Sequence, residues 1–163
     1  MPKCACPCKG PAAWYGLALG VIVLDQLSKW WVVENLAYAS TRTVTGFFDW
    51  VFVFNRGAAF SFLAGADGWQ RWFFTALALG VAAWIGVALW KGPRERLLSW
   101  SLTLIMGGAL GNVIDRLRFG AVVDFIQVHA GSHYWPAFNV ADSAITLGAI
   151  LLAWDQLRKK PVQ

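Results

Sequence analysis

Four long apolar runs decide what this chain can fold into. They extend from about Ala12 to Val33, Trp69 to Trp90, Leu97 to Ile114 and Val140 to Leu157. A helix needs roughly 20 mostly apolar residues to cross the hydrocarbon of a bilayer, and each run reaches or approaches that length. Composition agrees, since 58% of the 163 residues are hydrophobic and 14% charged, against about 25% charged in a soluble domain. The predicted fold is therefore mainly α: one integral-membrane domain over residues 1–163, with four transmembrane helices and a tail at residues 1–11. Tryptophans mark the ends of the runs (Trp14, Trp30, Trp31, Trp69, Trp72, Trp90, Trp100, Trp135 and Trp154), as expected of amphipathic rings at headgroup level.

The bases orient the bundle. Lys3, Lys9, Lys91, Arg94, Arg96, Arg158, Lys159 and Lys160 fall on one side, in two tails and the tight turn KGPRER. Arg42, Arg56, Arg71, Arg116 and Arg118 fall on the other, spread over two longer connections. The positive-inside bias then predicts cytoplasmic N- and C-termini and two outer connections. The first of these, Thr43 to Phe62, is rich in Thr, Val and Phe and bounded by Gly46 and Gly57. It reads as a small antiparallel β-sheet on the outer face, which AVVDFIQV (Ala121 to Val128) could extend.

Several functions are excluded at this level. The net charge of +5 comes from bases scattered between apolar runs, not from the stripe that nucleic acid requires. Cys4, Cys6 and Cys8 are an odd number within five residues, so they build no disulfide framework, and a metal site there lacks an obvious fourth ligand. The first apolar run is no cleaved signal peptide, because it is long and carries Asp25 and Lys29.

Polar groups within such runs are expensive and call for a partner or a task. Asp25 and Lys29 stand i, i+4 with the acid first, the favourable order for a helical ion pair. The third run ends in GGALGNVIDR, which puts Asn112 and Arg116 on one face and Asp115 about 100° from Arg116. Gly107, Gly108 and Gly111 suit a close helix contact. The fourth run opens FNVADS, so Asn139 and Asp142 begin near the same outer surface, and Asp124 joins them by connectivity. All the costly polar groups are thus expected at one depth.

A serine mechanism through Ser61 or Ser143 needs a base, and the histidines, His129 and His133, lie in the short loop HAGSH. That loop is also poor evidence for a metal. Paired carboxylates fit better, because two close aspartates split their apparent pKa values and can share one proton. Four compete: Asp25 has Lys29, Asp115 could be held by Arg116 or a backbone amide, and Asp124 and Asp142 have no basic neighbour within four residues. For Asp142 a capping box with Asn139 competes with the chemical role.

Five blocks in order, DQLSK (Asp25 to Lys29), FNRGAAFSFL (Phe54 to Leu63), GGALGNVIDR (Gly107 to Arg116), VVDFI (Val122 to Ile126) and FNVADS (Phe138 to Ser143), give the chain a resemblance to the bacterial lipoprotein signal peptidases (signal peptidase II). These are four-span aspartic peptidases of the inner membrane. The resemblance covers nearly the whole chain, omits the Cys tail, and implies a catalytic dyad of Asp124 and Asp142. It implies a substrate-facing surface of Asn55, Gly57, Asn112, Arg116 and Asn139, and supporting roles for Asp25, Lys29 and Asp115. The implied substrate is a prolipoprotein cleaved just before a cysteine that carries diacylglyceryl, with no metal or cofactor. The implied enzyme is a monomer whose partners are such substrates and membrane lipids.

On that reading one aspartate activates water and the other protonates the leaving amine. Asn112, Asn139 and Arg116 could bind the oxyanion or the substrate backbone. The outer sheet would cover the substrate, helped by Phe47, Phe48, Phe52 and Phe54. Two rival classes would also use buried carboxylates or an apolar groove: a small ion- or proton-coupled transporter and a non-catalytic membrane chaperone.

Overall fold

The computed structural model describes residues 10–57, 68–92 and 95–158. Its elements are α1 (Pro11–Asn35), β1 (Thr41–Thr45), β2 (Phe48–Asn55), α2 (Trp69–Trp90), α3 (Arg96–Phe119), β3 (Val122–Ala130), β4 (His133–Tyr134) and α4 (Val140–Arg158). All four helices are long and apolar enough to cross a membrane. Helices α1, α2 and α4 match the predicted spans to within two residues. Helix α3 runs five residues beyond the expected Ile114, because Asp115 and Arg116 find partners within the protein instead of marking the end of the helix. It stops at Gly120, whose φ of 76° lets its N–H donate to Arg116 O at 3.1 Å. The Cys4, Cys6, Cys8 and Ser61 readings lie outside the described residues.

The packing is that of a membrane protein, with large apolar side chains outside and small or polar ones inside. Leu24, Trp84, Trp90, Ile150 and Leu157 are exposed, whereas Ser99, Ser101, Thr103, Gly107 and Gly108 are buried on α3. Helix α3 is central and packs against α1, α2 and α4. Its glycines permit that closeness. A Cβ on Gly108 would collide with Ala141 O, one on Gly111 would sit 2.7 Å from Asp25 Oδ2, and one on Gly107 2.9 Å from Ala18 O. Gly148 does the same from α4, against Ser101 O at 2.7 Å.

The strands form one antiparallel sheet in the order β1-β2-β3-β4. It stands at the bundle end where α1 and α3 finish and α2 and α4 begin. Val32 of α1 packs with Phe52, Val123 and Phe125 of the sheet. A second core, Ala18, Ala82, Ile85, Leu89, Leu102 and Met106, fills the opposite half of the bundle. Along α1 the charged pair Asp25 and Lys29 falls between the two cores. His129 and His133 lie in a β3–β4 hairpin, not in an open loop; Gly131 at φ 59° makes the turn.

Candidate active site

Two register facts bring the aspartates together. Val53 of β2 pairs with Asp124 of β3 and Asn55 with Val122, which puts Asn55 and Asp124 on one face of the sheet. The chain then returns along β3, where Phe138 exchanges hydrogen bonds with Ile126 at 2.8 and 3.0 Å. That places Asn139, at the start of α4, beside Asp124.

Asn139 ties the two aspartates to one frame. It is fully buried, and its Nδ2 donates to Asp124 Oδ1 at 2.7 Å, to Val123 O at 3.2 Å and to Asn112 Oδ1 at 3.3 Å. Its Oδ1 accepts the Asp142 N–H at 2.8 Å, so half of the expected capping arrangement exists. The Asp142 carboxylate itself is turned to the site, where Oδ1 accepts from Asn112 Nδ2 at 2.8 Å. Asp124 Oδ2 accepts from Asn55 Nδ2 at 3.0 Å. Asn55 Oδ1 in turn holds the Gly57 N–H at 3.0 Å, and Arg116 Nη2 donates to Gly57 O at 3.3 Å.

Asp124 and Asp142 both border a cavity of about 1130 Å³, together with Asn55, Gly57, Asn112 and Arg116. Its walls are apolar: Phe74, Leu77 and Val81 from α2, Ile105 and Ala109 from α3, and Ile145, Leu147 and Ile150 from α4. Burial pushes the Asp124 carboxyl up from 3.8 to about 7, and the nearby charge of Asp142 adds to the rise. The two carboxyl groups therefore influence each other across one cavity.

Behind the cavity, Lys29 Nζ lies 2.8 Å from Asp25 Oδ2 and 2.8 Å from Asp115 Oδ2, and donates to Asn112 Oδ1 at 2.9 Å. The expected i, i+4 pair is thus a trio. Each of its acids also fixes a backbone amide: Asp25 Oδ1 accepts from Ala141 N at 2.8 Å, and Asp115 Oδ2 from Val123 N at 3.1 Å. Those amides belong to the residues just before Asp142 and Asp124. The backbone-amide reading for Asp115 thus holds, with Lys29 as its ion partner.

The sequence profile of the family described as Signal peptidase (SPase) II matches residues 17–158. The chain belongs to the signal peptidase II family. A lipoprotein signal peptidase from Azoarcus sp. (strain BH72) is 57% identical over 145 residues, which is 89% of this chain and 82% of the relative. One from Burkholderia mallei (strain SAVP1) is 54% identical over 148 residues, 91% of this chain and 89% of the relative. A bacterial membrane enzyme solved by the in meso method superposes with a TM-score of 0.81 at 28% identity, covering 93% of this chain and 94% of that one.

Several expectations need correction on this signal peptidase II fold. Asn139, expected to face substrate, is fully buried with both ends of its amide engaged and does not border the cavity. Its contacts are with Asp124, Val123, Asn112 and the Asp142 amide. Among the four phenylalanines expected to cover substrate, only Phe54 borders the cavity. Phe52 is packed into the Val32 cluster, because alternation along β2 gives Val51 and Val53 the cavity side, and Phe47, in the turn before β2, faces outward.

The polar groups are not all at one depth either. Asp155, fully buried near the far end of α4, lies 3.2 Å from Arg158, which also reaches Glu95 at 3.5 Å. An acid inside the fourth apolar run is the signal that could have found it. Gln26, between Asp25 and Leu27, is a second residue that sequence reasoning misses. Its Nε2 donates to Asp115 Oδ1 at 2.9 Å and Gly111 O at 3.1 Å. Ser143 borders the cavity, but its hydroxyl donates to Asn139 O at 2.9 Å. His129 lies 3.4 Å from Asp49 and, like His133, does not border the cavity, which leaves the serine without its base.

Proposed function

We propose that this protein is the aspartic endopeptidase that removes signal peptides from diacylglyceryl-modified prolipoproteins, with Asp124 and Asp142 as its catalytic pair. The observation that carries the reading is the shared cavity. Two carboxyl groups, coupled through Asn112 and Asn139, open onto an apolar groove between α2 and α4. Leu77, Leu147 and Ile150 of that groove are also exposed on the outside of the bundle, so an acyl chain can enter sideways from the bilayer without leaving apolar surroundings. The peptide bond next to a lipid-anchored cysteine then reaches the carboxyl pair at headgroup depth.

In the reaction the pair holds one proton. One carboxylate takes a proton from water as that water attacks the scissile carbonyl; the other carboxyl polarises the carbonyl and passes its proton to the departing amine. Arg116, Asn112 and Asn55 border the same cavity and supply donors for the developing oxyanion or the substrate backbone. Gly57, tied at both its N–H and its C=O, shapes the substrate-facing edge. The enzyme works as a monomer and needs no metal or cofactor.

The discriminating experiment incubates the purified full-length protein with a diacylated prolipoprotein and with its unlipidated form. Cleavage of the lipidated precursor alone, just before the modified cysteine, is the expected result. Equal cleavage of both would remove the lipid from the recognition scheme, and ion flux in sealed vesicles without cleavage would favour a transporter.

The orientation is part of the same proposal: termini on the cytoplasmic side of the inner membrane, sheet and carboxyl pair at the outer leaflet. The eight bases of the two tails and the KGPRER turn support it. In a protein with Cys4, Cys6 and Cys8 changed to Ser, a cysteine at Gly46 should react with an impermeant maleimide added outside intact spheroplasts. One at Gly92 should react only after lysis. Reaction of both from outside would reverse the assignment.

A further inference from the structure

Of the five arginines at the sheet end, Arg116 borders the catalytic cavity and Arg42 lies on β1. The remaining three, Arg56, Arg71 and Arg118, each lie against part of the segment Leu117 to Ala121 at the end of α3. Arg71 Nη2 donates to Leu117 O at 3.0 Å, and a Cβ on Gly120 would lie 3.4 Å from Arg71 Nη1. The Arg118 guanidinium stands 4.9 Å from the centroid of the Phe119 ring. Arg56 comes from beyond the end of β2 and, with Tyr38, Phe54, Phe119 and Ala121, lines a second cavity of about 410 Å³. Phe54 borders both this cavity and the catalytic one.

Among the described residues, no carboxylate lies within ion-pair distance of any of the three arginines. Arg71 Nε is buried with no hydrogen-bond partner among them. The negative end of the α3 dipole accounts for a base in its last turn. It does not account for Arg56, which arrives from the sheet. Nor does topology require the cluster, since in the proposed orientation these bases lie on the side that the positive-inside bias leaves poor in them.

The walls say what kind of anion fits. Tyr38, Phe54 and Phe119 follow one another as tilted ring pairs, with centroids 5.6 and 5.7 Å apart. Arg71 lies over Trp72 at 4.7 Å, and Trp69, Trp72, Tyr38 and Phe119 are exposed. Such rings settle at headgroup depth, so the cations are held where lipid phosphates lie, beside surface that suits glycerol and the first methylenes. We propose that this second cavity, with Arg56 on its wall and Arg71 and Arg118 held against the neighbouring Leu117–Gly120 segment, binds the headgroup of an anionic phospholipid. The diacylglyceryl group of the proposed substrate carries no phosphate, so the two sites take chemically different lipids.

The test uses the full-length protein released from vesicles of equal phosphatidylglycerol and phosphatidylcholine, with retained lipid counted by native mass spectrometry. Phosphatidylglycerol should be retained in preference. The variant R56Q/R71Q/R118Q should retain at least about fivefold less of it, with phosphatidylcholine unchanged. The control R42Q should match the unmutated protein. An equal loss in R42Q would indicate diffuse attraction and overturn the site, as would undiminished retention in the triple variant. Displacement by millimolar inorganic phosphate would make it a free-anion site and overturn the lipid assignment. Because the triple variant could misfold, a photoactivatable phosphatidylglycerol is also cross-linked to the unmutated protein. Adducts on the peptides that carry Tyr38 or Phe119 support the proposal; adducts confined to other peptides refute it.

Discussion

Asp124→Asn and Asp142→Asn should each lower the rate of prolipoprotein cleavage by about 10²–10⁴-fold, the range for losing a positioned acid or base, while the protein still inserts and binds substrate. The isosteric change is the informative one. In Asp124→Asn the amide carbonyl can still accept from Asn139, at the loss of the bond from Asn55, and in Asp142→Asn it can still accept from Asn112, so most of the packing around the groove survives while the titrating oxygens are lost. The unmutated enzyme should also show an alkaline limb. Asp124 is raised to about 7, so the pair keeps its shared proton below that pH and loses it above. The rate should then fall about tenfold per pH unit beyond the limb, and the apparent pKa belongs to the pair and not to one residue. The check is single-turnover cleavage of a diacylated precursor from pH 5 to 9, with substrate binding measured separately. A variant that keeps more than about a tenth of the rate, set against that expected range, would end the dyad assignment; a flat profile across pH 7 would end the shared-proton account.

How much of this is legible in the sequence depends on the range of the signal. The helices are, because bilayer thickness converts an apolar run directly into a length; so is the sheet, from β-branched and aromatic composition between glycines. The cost of a charge inside an apolar run, or at its very end, also points to Asp25, Lys29, Asp115 and Asp142. What stays hidden is pairing between elements. Nothing in DQLSK says that Lys29 will choose Asp115 as well as Asp25, or that Asp25 will reach across to Ala141. Asn139 escapes for the same reason. Its side chain is polar and sits among motif residues, which suits substrate contact and internal positioning equally, and only the return of Phe138 along β3 decides between them. Phe52 fails on phase, since a strand with aromatic residues at Phe52 and Phe54 and valines at Val51 and Val53 does not announce which face meets the cavity.

Lys29→Met should be the most damaging single change to folding. Lys29 is 3% exposed and lies 2.8 Å from each of two carboxylates that are themselves 0% and 1% exposed. Removing it leaves Asp25 and Asp115 facing each other without a cation and Asn112 Oδ1 without its strongest donor, which costs about 3–5 kcal/mol for a buried charge stripped of its partner. Methionine fills nearly the same volume, so a packing defect does not explain the loss. The damage should also be repairable by charge alone. Lys29→Met combined with Asp115→Asn and Asp25→Asn removes the repulsion, keeps acceptors for the Val123 and Ala141 amides, and should recover most of the stability. Full recovery of activity is not expected, because Asn112 loses the ammonium that fixes its orientation toward Asp142. Reversible unfolding in mixed micelles, followed by tryptophan fluorescence for the single and triple variants, separates the two effects. If Lys29→Met unfolds like the unmutated protein, the trio does not hold the bundle together; if the triple variant is no better than the single one, the loss is not electrostatic.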